Sequence, residues 1–124
     1  MTPQKTIERF VEAWEKSDYH AMAGCCTRTW LYNNPRAAET LRNMGHYRDW
    51  TPQGFDIVAT EPLDNPVFPD GTAFVVTVAL RLLPPGRALT ITKTPFVVVC
   101  ERGPYDPGIE GVWGINPING TKRE

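Results

Sequence analysis

Residues 72–83 read TAFVVTVALRLL, and the order of side chains in this stretch decides the fold class. Phe74, Val76, Val78, Leu80 and Leu82 fall on one side of an extended chain, while Val75, Thr77, Ala79, Arg81 and Leu83 fall on the other. Alternation of this kind marks a β-strand, whose successive side chains point to opposite faces. The first set is the stronger core face. Val75 and Ala79 on the second set also need cover, so the sheet is not simply wet on that side.

Working outward, the same period recurs on both sides. Strands are predicted over 54–61, 72–83, 89–101 and 111–115, joined by Pro62–Gly71, by the Pro84-Pro85-Gly86 turn and by Gly103–Gly108. Val97 and Val99 repeat the two-sided apolar character. Pro95 has no N–H to give to a ladder, which predicts a bulge and a strongly curved, mostly antiparallel sheet.

Before residue 50 the period is that of a helix. Thr2 can cap a first helix and Pro3 suits its first turn, with Ile7, Phe10, Val11 and Trp14 recurring on one face. Ser17 or Asp18 can cap a second helix over 19–26. Residues 29–32 are rich in β-formers and read as a short strand, after which Asn34 caps a third helix over 35–44 that stops at Gly45. Three helices ahead of a sheet give an α+β architecture. With no repeat and no shift in composition, residues 1–118 read as one domain and 119–124 as a flexible tail.

Thirteen basic and fourteen acidic residues leave a formal charge of −1, so no overall field gathers nucleic acid or anionic lipid. Arg36, Arg42 and Arg48 read as a solvated helix face. No apolar run approaches the about twenty residues that a membrane span needs. Cys25, Cys26 and Cys100 form no C-x-x-C pair and have no His at ligand spacing, so neither a metal nor another cofactor is expected. Reduced, buried thiols favour a reducing, cytoplasmic setting. An extracytoplasmic protein whose leader has been removed has the same appearance.

The segment IERFVEAWEKSDYHAMAGCCTRTWLYNNP, Ile7–Pro35, resembles the nuclear-transport-factor-2-like (NTF2-like, cystatin-like) superfamily, in its ketosteroid-isomerase and SnoaL-like branch. Phe10 in the first helix, Asp18 eight residues on and Asn34-Pro35 after a strand carry the likeness. The resemblance implies helices cradled by a curved sheet, a cone with an apolar pocket lined by Phe10, Trp14, Tyr32, Asn34 and Trp113, and a homodimer through the sheet. In ketosteroid isomerases an Asp moves a proton while a Tyr and a protonated Asp hold the oxyanion. Here the tyrosine's place falls to Phe10 and the base's to Asn34, whose amide is too weak a base near neutral pH. This argues against ketosteroid isomerisation.

Two functional expectations follow. The first is a non-catalytic domain that binds a small apolar ligand or a partner. The second is a SnoaL-like isomerase, cyclase or dehydratase whose acid–base pair has moved, with Asp56, His20 and Tyr32 as candidates.

Overall fold

The computed structural model describes residues 2–118; the tail expected over 119–124 lies outside the described residues. Helices packed on a five-stranded antiparallel sheet make up the α+β architecture. Helix α1 (Pro3–Glu15) begins where the Thr2 hydroxyl accepts a bond from the Lys5 amide at 3.1 Å. Its apolar stripe is fully interior, with Ile7, Phe10 and Val11 at 0% exposure. Asp18 caps α2 (Tyr19–Gly24) through the Ala21 amide.

The expected short strand over 29–32 is instead helix α3 (Arg28–Asn33). Its β-formers are overruled by a local cap, because the Thr27 hydroxyl accepts from the Trp30 amide at 3.1 Å and satisfies a first-turn donor. Asn34 accordingly does not cap the next helix. It closes α3, its Nδ2 donating to the Trp30 carbonyl at 2.8 Å. The expected third long helix starts two residues later and splits into α4 (Ala37–Asn43) and α5 (Gly45–Asp49), with Met44 extended between them.

Strands β1 (Thr51–Pro62), β2 (Ala73–Leu83) and β3 (Thr90–Gly103) follow in spatial order. A two-residue β4 (Asp106–Pro107) pairs with the end of β3, and β5 (Val112–Asn116) pairs with β3 from Val97↔Asn116 to Glu101↔Val112. The strong curvature expected from Pro95 is not seen; the sheet is not strongly curled. Its β2–β3 ladder runs unbroken from Ala73↔Val99 to Leu82↔Thr90, with Pro95 opposite Thr77. Pro95 is tolerated because β5 ends its pairing at Val97, leaving no neighbour on that side among the described residues to receive an N–H. Register shifts occur in β1, between Pro52 and Phe55 and between Ile57 and Ala59, and in β3 opposite β4, between Glu101 and Gly103.

Residues opposite one another across a ladder share a face. Val76, Val78, Leu80 and Leu82 of β2 therefore join Phe96 and Val98 of β3 and Ile115 of β5 against α1, all at 0% exposure. The Phe10 ring meets Tyr47 and Phe96 edge-on, with ring centres 5.6 and 5.9 Å apart. Polar tips in this core are satisfied: Trp14 Nε1 donates to the Trp50 carbonyl at 2.8 Å and the Tyr47 hydroxyl to the Pro117 carbonyl at 2.6 Å. Cys26 and Cys100 are buried free thiols and Cys25 is half-buried. Among the described residues no helix is long and apolar enough to cross a membrane.

Candidate functional site

Val97, Val99 and Glu101 alternate with Phe96, Val98 and Cys100, so they point away from α1 to the second face of the sheet. That face is partly covered by α3. The chain arrives there along the free edge of β5, where the Thr27 amide donates to the Ile115 carbonyl at 2.9 Å and the Ile115 amide to the Cys25 carbonyl at 2.8 Å. Only a glycine fits beneath it. A Cβ on Gly114 would stand 2.7 Å from the Cys26 carbonyl oxygen and from the Thr27 backbone.

Once across, α3 is fastened to β3 by Glu101, which is 4% exposed. Its carboxylate accepts from the Thr29 amide at 3.1 Å and, by a short bond, from the Thr29 hydroxyl. The same hydroxyl oxygen accepts from the Tyr105 amide at 2.8 Å. Tyr105 is held with φ of 59°, a left-handed conformation uncommon for a side chain of this size. Asn33 completes the fastening, its Nδ2 donating to the Thr29 carbonyl at 3.0 Å and to the Tyr105 hydroxyl at 2.6 Å.

Between α3, β3 and the β1–β2 loop lies a cavity of about 500 Å³. Val97 and Val99 form its floor, Trp30 and Phe68 its apolar sides, and Asn34 and Asn116 add amides. That volume falls within the range of small-molecule sites, roughly 300–1,000 Å³. Among the described residues no Lys, Arg or His borders it, and Glu101 is the one charged residue that does. A separate cleft between α1 and α2 is bordered by the charged residues Arg9, Glu12, Lys16 and Asp18 together with Ala13, Ala21 and Cys25.

Of the residues expected to line a pocket, Asn34 borders this cavity. Phe10 and Trp14 lie in the core on the other side of the sheet. Trp113 is half-buried against Phe74, ring centres 5.8 Å apart, on that same core side. Tyr32 is 69% exposed outside the cavity wall, with its ring edge-on to Tyr105.

The proposed acid–base candidates are scattered. His20 is exposed on α2. Asp56 shares the second face with Ala79 and pairs with Arg81 at 2.9 Å in solvent. Thr29, Trp30 and Glu101 were not singled out from the sequence. The available signal was a carboxylate in line with Val97 and Val99, directly after the apolar run from Phe96 to Cys100. Among the described residues no group of His, Cys, Asp and Glu is arranged to hold a metal ion.

No family model, curated protein or solved structure matches the chain. Any functional reading therefore rests on the site itself.

Proposed function

We propose that this protein is a non-catalytic binding domain whose cavity between α3 and β3 takes one small, largely apolar molecule. The observation that carries the reading is the cavity, which offers an apolar floor, aromatic sides and a few fixed polar atoms in one enclosure. Binding is favoured over proton-transfer chemistry on the same ground. Acid–base catalysis needs a pair of groups tuned to opposite tasks. Glu101 is occupied with Thr29, and among the described residues no second carboxylate, histidine or lysine borders the cavity. A SnoaL-like reaction at Asp56, His20 or Tyr32 would have to proceed outside it.

Kinship with the NTF2-like superfamily is the finer part of this proposal. It is supported by the Ile7–Pro35 likeness and by the order of helices before sheet, while α3 departs from that pattern where a strand was expected. Homodimerisation through the sheet draws support from Ile91, 69% exposed on the second face beside Arg81. Light scattering behind size-exclusion chromatography reads it directly, and a monomer at high concentration rules it out.

The binding reading is tested with N-phenyl-1-naphthylamine, a neutral apolar fluorophore. Saturable one-to-one binding that is lost in Val97→Trp, which fills the floor, supports it. No saturable binding, or binding indifferent to that substitution, refutes it.

A further inference from the structure

We propose that the molecule taken by this cavity is an organic cation, an ammonium group on a compact apolar body; the inference rests on the binding reading above. Glu101 is 4% exposed, and among the described residues no Lys, Arg or His nitrogen lies within ion-pair distance of its carboxylate. Buried charges in proteins are ordinarily paired. The two bonds from Thr29 fill part of the carboxylate's accepting capacity, about four lone-pair sites, and leave its net charge uncompensated.

Glu101 is joined in the wall by polar atoms of mixed kind. Asn33 spends both Nδ2 hydrogens, on the Thr29 carbonyl and the Tyr105 hydroxyl, which leaves its Oδ1 as the atom on offer, whereas Asn34 spends one on the Trp30 carbonyl and Asn116 accepts from the Ile118 amide at its Oδ1. Trp30, Phe68 and Tyr105 border the cavity, and aromatic faces attract cations and repel anions. An anion would meet a carboxylate and aromatic rings, with no basic side chain among the described residues to hold it. A neutral molecule gains the apolar contact and no charge pairing. A cation gains that contact together with Glu101 and the aromatic rings.

Phenyltrimethylammonium and tert-butylbenzene have nearly the same shape and differ by a nitrogen cation in place of a carbon. Titration calorimetry on the full chain should show the cation binding at least tenfold more tightly, with binding of both lost in Val97→Trp. In Glu101→Gln the cation's advantage should fall at least fivefold while the hydrocarbon's affinity stays within twofold. Should that variant not fold, Phe68→Leu serves in its place and should weaken the cation several-fold more than the hydrocarbon. Equal affinities, or tighter binding of the hydrocarbon, overturn the charge assignment and leave the cavity reading intact. No binding of either at millimolar concentration overturns both.

Discussion

Glu101 of β3 accepts hydrogen bonds from both the amide and the hydroxyl of Thr29 of α3, joining two elements 72 residues apart in sequence. Bonds to a charged acceptor contribute about 1.5–3 kcal/mol each. Thr29→Val removes the hydroxyl that donates to Glu101 and leaves the exposed Tyr105 amide to water, so it should cost about 1.5–3 kcal/mol. A double-mutant cycle with Glu101→Gln, followed by urea unfolding, should return a coupling of about 1–3 kcal/mol. Strict additivity would mean that α3 is held to the sheet by something else.

Gly114 and Gly24 should respond to alanine with opposite signs. The Gly114 methyl meets backbone atoms at 2.7 Å that cannot swing aside, so about 1–3 kcal/mol should be lost. Gly24 lies at the end of α2 with nothing within 4 Å of its would-be Cβ, and alanine there should gain up to about 1 kcal/mol. Paired thermal melts read both, and a neutral Gly114→Ala would contradict the crossing of the chain over β5.

The thiols predict a fall of stability in alkali. Burial pushes Cys26 far above its ordinary value of 9.0, with the neighbouring Cys25 adding to the rise, and burial raises Cys25 as well. Above pH 9 the unfolded chain gives up these protons before the folded one does. Stability from this source is therefore fully present below about pH 9 and is lost as pH climbs from there toward the folded values. In reductant, the urea midpoint should drop between pH 8 and pH 10.5, and by less in Cys26→Ala. An equal drop in both proteins would assign the effect to other groups.

Asp56 should prove dispensable. Its bond to Arg81 is exposed to solvent, where such pairs contribute about 0–1 kcal/mol. Asp56→Asn should shift stability by less than about 0.5 kcal/mol and leave N-phenyl-1-naphthylamine binding unchanged. A large effect on binding would move the site to the outer sheet beside β1.

What the sequence made legible is the part governed by periodicity. The stripe Ile7, Phe10, Val11, Trp14 and the face Val76, Val78, Leu80, Leu82 are the two halves of the core, as their spacing requires. Residues 29–32 misled because strand propensity is decided by an available partner. Here the free edge of β5 is taken by Cys25–Thr27, and the Thr27 cap then turns the chain into α3. Pro95 misled because its missing donor matters only where a neighbouring strand awaits it.

The cavity was hidden for a different reason. Val97 and Val99 could be seen to need cover, but α3, which supplies part of it, lies more than sixty residues away in sequence and depends on the crossing at Gly114. Phe10 and Asn34, which the NTF2-like likeness would place around one hollow, flank β3 from its two sides: Phe10 meets Phe96, and Asn34 borders the cavity over Val97 and Val99. Proximity along a helix-rich segment carries no information about which face of a sheet each helix will cover.

Amide chemical-shift mapping during a titration with N-phenyl-1-naphthylamine tests the central claim most directly. The account predicts the largest shifts at Thr29, Trp30, Asn34, Val97 and Val99, with Phe10, Val11 and Leu80 across the sheet nearly still. Shifts centred on α1 and the core face, with Thr29 and Val99 unmoved, would contradict it.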